Sequence, residues 1–465
     1  MAGLSDSVQD GFRGPEWERR VGMASSLHAA RILDSDTLAR AIGTSFRPLH
    51  ALIAAPSLLF LVTLGLMLFH PPDFHFHSID RIAFGLLILI VLLRVCVLRQ
   101  ELRFGGPVMW PMLALLVLAF HGAVSQPNGD ETWSLFAAKW LVPFMLYHLA
   151  AYIFNDERSL WRFETFSLIV LGYLSLTAIF FMIDAKQFVF PRYILDEGLG
   201  YHADRARGPF LQAVANGMAL NLLGLVALNS FRRKRLRGVL AILFLVALPL
   251  AIVATKTRAV WLSFAGSILV LLFLSPSRRL RRACLCFMLA GGLGLTAAIT
   301  LADRNASLSE RLEEPGPVMF RMAIYQAGWE MFLQKPIAGW GATDMQTELS
   351  KRISDFHQEQ FFFHNTYLEI VVQYGLVGLL LYLRVVIDLF KLGRSRVPDS
   401  FSPHNGFLDH QFRMLWPLLL GVYLLNGSFV VMNYQFVNGF LFAVAGLLVG
   451  QNRRNAEVEL NALTR

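Results

Sequence analysis

The stretch Phe361-Phe-Phe-His-Asn-Thr-Tyr-Leu-Glu369, followed directly by Ile370-Val-Val-Gln-Tyr-Gly-Leu-Val-Gly-Leu-Leu-Leu-Tyr382, decides the fold. A polar segment ends at His364, and an apolar run begins that can continue as a membrane helix. This order predicts an ionisable imidazole at the water boundary of a bilayer. Such a ring can carry out acid–base chemistry on a lipid whose headgroup is an anion.

Composition supports a membrane protein along the rest of the chain. Apolar residues make up 55% of the 465 and charged residues only 16%, with a mean hydropathy of +0.50. A soluble domain carries roughly 25% charged residues. Apolar runs of about 20 residues recur, which is the length of a helix that crosses the hydrocarbon core. The sequence predicts an all-α polytopic membrane protein with about twelve transmembrane helices, at 49–69, 79–98, 108–124, 133–154, 162–183, 209–229, 236–254, 258–274, 282–302, 364–391, 412–431 and 433–450.

The basic residues predict the orientation, because loops rich in Lys and Arg stay in the cytoplasm. The densest clusters, at 232–235 and 278–282, fall on the same side as both termini. Nucleic-acid binding is therefore not favoured, although the net charge is +9. The predicted organisation is a cytoplasmic N-terminal segment, nine helices, a helical periplasmic domain, three helices and a cytoplasmic tail, with boundaries at 1–48, 49–302, 303–363, 364–450 and 451–465.

Two basic motifs lie in loops of the predicted outer face, where the orientation rule disfavours them. In the first, Arg205-Ala-Arg207-Gly-Pro, a guanidinium precedes the start of a helix and adds to its positive field, which an anion such as a phosphate would offset. The alternative is an interfacial arginine beside a lipid phosphate. In the second, Thr255-Lys256-Thr-Arg258, two cations occupy a short turn. Their alternative partners are acids of the long outer loop, Glu313 or Glu314.

Two further candidates lie in or next to the predicted outer domain. Arg321 is on a segment with helical apolar spacing that ends near Pro336-Ile-Ala-Gly-Trp-Gly341; a surface salt bridge is its alternative role. His364 precedes the first turn of the tenth predicted helix, where the positive dipole end favours a neutral imidazole that can accept a proton. Its alternative role is a helix cap. Asn365 and Glu369 are four apart, so Glu369 is expected to orient the amide or the loop.

Other features contribute less. Lys139 is unusual inside the fourth predicted helix and is a candidate to line a polar cavity. The outer loops contain no pair of aspartates suited to a divalent metal, and the chain has no P-loop or nucleotide-type Gly-rich motif. We therefore expect no metal and no cofactor.

Several of these blocks resemble a known family. His364-Asn365 with Leu368-Glu369, Tyr374-Gly375 and Gly378 is similar to the C-terminal signature of the bacterial O-antigen ligase/polymerase superfamily. Arg207-Gly-Pro, Thr257-Arg258-Ala, and Arg321 through Gly-Trp-Gly341 resemble its other recurrent blocks, in the same order. Lys256 departs from the small residue that many relatives have there.

The resemblance implies an O-antigen ligase of the bacterial inner membrane, with its active site facing the periplasm. The donor would be a glycan on undecaprenyl pyrophosphate, and the acceptor would be a hydroxyl of lipid A–core oligosaccharide. Arg205, Arg207, Lys256, Arg258, Arg321 and Asn365 would bind substrate, and His364 would act as general base in a metal-independent, inverting transfer. The lipid tail would lie in a groove among the helices, and a monomer is expected to suffice.

Two alternatives remain open at this stage. The polymerase and protein O-oligosaccharyltransferase branches share the chemistry and differ in acceptor. A transporter of lipid-linked saccharides would instead need charged residues along a cavity through both leaflets.

Overall fold

The computed structural model describes residues 55–69, 79–98, 106–125, 130–200, 202–302, 316–353, 362–394 and 406–463. The chain divides into two compact units, Met1–Pro56 and Ser57–Arg465, and the description below concerns the second. The predicted cytoplasmic segment 1–48 and the start of the predicted outer domain, 303–315, lie outside the described residues.

The described residues form helices and no strands. The α-helices are α1 (Pro56–Met67), α2 (Ile79–Leu98), α3 (Met109–Val124), α4 (Asp130–Phe136), α5 (Val142–Ile153), α6 (Glu157–Met182), α7 (Ala213–Arg232), α8 (Gly238–Ala254), α9 (Arg258–Leu274), α10 (Arg278–Ala302), α11 (Gly316–Gln334), α12 (Gly341–Arg352), α13 (Thr366–Arg394), α14 (His410–Gly427) and α15 (Gln435–Leu463).

Each of the twelve predicted apolar segments coincides with a helix wherever the structure describes it. Among the described residues, five helices are long and apolar enough to cross a membrane, and four shorter apolar helices accompany them. The protein is thus a helical, multi-pass membrane protein. The number of twelve crossings and the periplasmic position of residues 303–363 remain predictions.

The centre of the bundle is α7, which is buried over nearly its whole length. Small residues allow its neighbours to approach closely: a Cβ on Gly217 would overlap Val260 of α9, and one on Gly224 would contact Leu248 of α8. Polar side chains also bridge α7, α9 and α14. Ser263 Oγ accepts from Asn221 Nδ2 at 3.1 Å and from Asn426 Nδ2 at 3.0 Å. In an apolar environment such a bridge satisfies polar groups that would otherwise be costly to bury.

The predicted fourth helix is continuous but not regular, because a π-helical turn at Ala137–Leu141 joins α4 to α5. Pro143 has no N–H to donate to the carbonyl four residues earlier, that of Lys139, which accounts for the wider turn. Asn438 of α15 stabilises the turn, since its Nδ2 donates to the carbonyl of Ala138 at 3.0 Å. The turn sets the direction in which Lys139 leaves the helix.

A second irregularity breaks α13. Gly375 has φ 65° and ψ −161°, a conformation open essentially only to glycine. The turn that follows α11 fills the break: the N–H of Leu376 donates to the carbonyl of Pro336 at 2.8 Å, and the carbonyl of Val372 accepts from the N–H of Trp340 at 2.9 Å. These two groups of α13 would otherwise pair with each other in a regular helix. We call this contact, between residues 336–340 and 372–377, the backbone interlock.

Candidate active site

His364 sits immediately before α13 in an unusual backbone conformation. Its φ of 49° lies in the left-handed region, which is uncommon for a residue with a side chain. The helix cap is Asn365: its Oδ1 accepts from the N–H groups of Tyr367 at 2.9 Å and Leu368 at 3.1 Å. The alternative role considered for His364, capping the helix, is therefore carried by its neighbour. The cap engages the Oδ1 atom of Asn365. Binding of substrate by this side chain stays a prediction.

The imidazole of His364 is half-buried beneath α11. The ring of Phe320 lies 6.3 Å from it, centroid to centroid, in an edge-on arrangement. The pKa of His364 is lowered to about 4, first by burial and then by the positive charges of Arg321 and His202. The ring is therefore neutral at neutral pH and can accept a proton. It also lies within electrostatic reach of Arg321 and His202, which come from other parts of the chain.

Arg321 reaches this position because α11 lies across the start of α13. The buried side of α11 forms a small apolar core with α12 and α13 that includes Ile324, Met331 and Phe363. Close to His364, Gly328 leaves room for Phe363, whose ring a Cβ on this glycine would overlap. The backbone interlock fixes the other end of α11. Packing and interlock together bring the predicted blocks around Arg321 and His364 to one place.

The Arg205–Arg207 segment is held by a different set of contacts. Arg207 is 1% exposed, and its guanidinium donates to the carbonyls of Ile194 at 3.0 Å and of Leu199 and Asp196. Burial lowers the pKa of Arg207, while the carboxylates of Asp196 and Glu197 raise it. The guanidinium thus shapes the preceding loop, and its contact with a pyrophosphate remains a prediction.

The second basic motif lies next to the first. The N–H of Ala206 donates to the carbonyl of Ala254 at 3.1 Å, which joins the segment to the end of α8 just before Lys256. Lys256 has φ 48° and occupies the turn between α8 and α9. Arg258 is the exposed first residue of α9. The alternative partners Glu313 and Glu314 lie outside the described residues.

His202 lies in the loop before Arg205 and was not among the predicted site residues. Its carbonyl accepts from the N–H of Arg205 at 3.1 Å, while its side chain acts electrostatically on His364. Hydrogen bonds therefore join residues 202–206 to the end of α8 just before Lys256, and His202 interacts electrostatically with His364. A histidine in an irregular loop carries no motif, and only the tertiary structure reveals it.

Glu369 does not interact as the sequence suggested. It forms a buried ion pair with Lys139, with 2.7 Å between Oε1 and Nζ, instead of orienting Asn365. The two residues line one end of a cavity of about 50 Å³ between α3, α5, α13 and α14, and the other end reaches Leu389. Apart from this pair, apolar side chains dominate its walls. Among the described residues, no group of three His, Cys, Asp or Glu side chains that could hold a metal ion comes together.

Comparison with known proteins adds one match. Residues 241–383 match the family model described as O-antigen ligase, a range that includes Lys256, Arg258, Arg321, His364 and Asn365. A search of curated proteins gives no match. The matched range runs from α8 into α13 and includes the backbone interlock, so it coincides with the part of the molecule around His364. The chain therefore contains a region, residues 241–383, that is similar to the O-antigen ligase family.

Proposed function

We propose that this protein is an O-antigen ligase, a glycosyltransferase that moves a glycan from undecaprenyl pyrophosphate to a hydroxyl of lipid A–core oligosaccharide. The observation that carries the proposal is the packing of α11 against the start of α13, which brings Arg321 within electrostatic reach of the His364 imidazole at the start of a candidate membrane span. A base next to a cation suits a reaction in which a hydroxyl loses a proton and a pyrophosphate leaves.

In the proposed mechanism, the acceptor oxygen attacks the anomeric carbon of the donor. The new glycosidic bond forms as the bond to the pyrophosphate oxygen breaks, and the hydroxyl proton passes to His364. A single displacement inverts the anomeric centre. Pyrophosphate is a good leaving group once cations offset its charge, so the scheme routes no step through a metal or a cofactor.

The basic residues divide into two groups in this scheme. Arg258, Lys256 and Arg321 would face the pyrophosphate. Arg321 interacts electrostatically with His364, and the Ala206–Ala254 hydrogen bond joins the turn of Lys256 and Arg258 to the loop of His202. Arg207 was predicted to bind the same group. Its bonds to three loop carbonyls support a part in shaping the site, with Arg205 next to it towards the ligand.

The bound donor would also change the pKa of His364. Arg321 and His202 lower the pKa of His364 in the free protein. A pyrophosphate placed between these groups would offset their charge and raise the pKa of His364 towards neutrality. The imidazole would then become a stronger base only when the donor is present, which limits proton transfer to the productive complex.

We further propose that the protein lies in the bacterial inner membrane with both termini in the cytoplasm and His364 facing the periplasm. The distribution of basic residues supports this orientation. A monomer would contain every group that the mechanism uses. The donor's apolar tail would lie in a groove among the helices.

The polymerase and protein O-oligosaccharyltransferase branches remain alternatives, since they would use the same base and cations with another acceptor. A lipid-linked saccharide transporter is a weaker alternative. The described cavity along α13 has a single ion pair and otherwise mainly apolar walls, which do not suit passage of a hydrated glycan.

Reconstitution in liposomes with the undecaprenyl-pyrophosphate glycan tests the proposal. The protein is supplied in parallel with lipid A–core, with a second carrier-linked glycan and with a serine-containing acceptor protein. Attachment to lipid A–core alone supports the ligase. Attachment to either other acceptor alone would instead assign the corresponding branch, and movement of intact donor without transfer would favour the transporter.

The same assay with His364→Asn tests the base. Asparagine tolerates a left-handed backbone, so this variant removes the imidazole with little strain. His410→Asn, at the exposed start of α14, is the matched control. Transfer by His364→Asn at the rate of the control would contradict the assignment.

A further inference from the structure

The outer helix α11 is apolar on two opposite sides. One side packs in the core formed with α12 and α13, as described above. The other side exposes large apolar residues at helical spacing: Met322 is 65% exposed, Leu333 is 59% exposed, and Trp329 lies between them. A helix with apolar residues all round is normally buried in protein or in lipid. On α11, the described residues cover only one of the two sides.

The exposed apolar side of α11 continues into the lipid-facing surface of α13. Ile337, in the turn after α11, is also exposed. Its carbonyl accepts from the N–H of Val377 at 3.4 Å, so the two residues are adjacent. Val377, Leu380 and Leu383 are exposed along α13, which is itself a candidate membrane span. Exposed apolar residues therefore continue from α13 onto α11, past Gln334 and Lys335, which are also exposed between Leu333 and Ile337.

The point where the two helices meet lies within the apolar length of α13. The first exposed charge further along α13 is Arg384, nine residues beyond Gly375. Nine residues of helix span about 14 Å. The hydrocarbon core of a bilayer is ~30 Å thick, so the backbone interlock lies inside it when Arg384 is at the opposite boundary. The turn at Ile337 then lies among the acyl chains, and α11, whose last residue is Gln334, extends from that depth towards the outer boundary.

We infer that α11 is a membrane-embedded interfacial helix whose exposed apolar side contacts the acyl chains of outer-leaflet lipids. The surface formed by Met322, Trp329, Leu333 and Ile337 is the lipid-contacting face. A polar edge runs beside it: Gln326 Nε2 donates to Glu330 Oε1 at 3.2 Å, and both residues are exposed. A helix with an apolar face and a polar edge is suited to the boundary between acyl chains and headgroups.

This placement has a consequence for the site that rests on the proposed function. Arg321 is on the side of α11 that faces His364, away from the lipid-contacting face. With α11 at the boundary between acyl chains and headgroups, Arg321 and His364 lie at the level of the lipid headgroups. An acceptor anchored in the outer leaflet would then present its hydroxyl without leaving the membrane.

Site-directed spin labelling in liposomes tests the inference. A nitroxide is attached at Met322→Cys or Leu333→Cys in the full chain, with Cys96, Cys284 and Cys286 replaced by serine. Accessibility to molecular oxygen and to a water-soluble nickel chelate is then measured. Leu380→Cys is the reference inside the membrane, and Lys351→Cys, exposed on α12, is the reference in water. Glu330→Cys is the matched control on the polar edge of α11.

We expect both labels on the lipid-contacting face to behave like the label at Leu380, with high oxygen and low nickel accessibility. The label at Glu330 should be several-fold more accessible to nickel. Nickel accessibility at Met322 and Leu333 equal to that at Lys351 would overturn the inference. The readout does not involve transfer, so it is independent of whether the proposed reaction is correct.

Discussion

Replacing Gly375 by alanine would test whether the backbone interlock holds α11 on α13. A Cβ at this position would overlap the carbonyl oxygen of Ile337. The backbone conformation alone costs an alanine about 1–3 kcal/mol. Displacing the turn would also break the bonds from Leu376 to Pro336 and from Trp340 to Val372, at about 1 kcal/mol each. We therefore expect a loss of about 3–5 kcal/mol in the free energy of unfolding.

The matched control is Gly421→Ala. Gly421 lies in the regular helix α14, and a Cβ there meets no atom within 4 Å. Alanine in a helix is favoured over glycine by about 0.5–1 kcal/mol, so this variant should be neutral or slightly more stable. Unfolding of both variants in mixed micelles by denaturing detergent gives the comparison. If Gly375→Ala stays within about 1 kcal/mol of the control, a typical value for an average substitution, the interlock does not have the role assigned to it.

The remaining predictions concern His364 and the ion pair. His364→Asn should lower the transfer rate by ~10²–10⁴, the usual contribution of a general base, while the amount of folded protein is unchanged. As the pH is lowered, kcat/KM should decline near pH 4, because His364 must be neutral in the free enzyme to act as a base. The value of kcat should decline at a higher pH, because bound pyrophosphate raises the pKa of His364. If kcat and kcat/KM decline at the same pH, the donor does not raise this pKa. Lys139→Met should lower the free energy of unfolding by about 3–5 kcal/mol, because it leaves the carboxylate of Glu369 buried without its partner. The double variant Lys139→Met/Glu369→Gln should recover most of that free energy, as measured by unfolding in denaturing detergent. Equal losses in the single and double variants would show that the pair is not coupled.

The helices were predictable because an apolar run of membrane length has few other stable conformations in lipid. The segment containing Thr366–Arg394 was identified from its apolar residues alone. The break at Gly375 could not be predicted from the sequence. Gly378 lies in the same apolar run but remains helical, so the presence of a glycine does not identify the position of the break. Which glycine leaves the helix is decided by the turn at Pro336, which approaches from outside.

The candidate site was predictable to a smaller extent. His364 and Arg321 stand in motifs, and the structure places them within electrostatic reach of each other. The partners of Arg207 are loop carbonyls, whose positions no motif encodes. Lys139 and Glu369 are 230 positions apart, so their pairing depends on packing between helices. Local spacing instead suggested that Glu369 would orient the amide of Asn365 or the loop, whereas its carboxylate pairs with Lys139.

The backbone interlock also constrains how the protein is assembled. The turn at 336–340 precedes α13 in the chain, and a protein emerges from the ribosome N-terminus first. The turn is therefore made before its partner, and α13 enters the bilayer with its hydrogen bonds closed within itself, as isolated segments in lipid must. Only then can Gly375 open to receive Pro336 and Trp340. We therefore expect the bend in α13 to form after insertion, as a separate step of biogenesis.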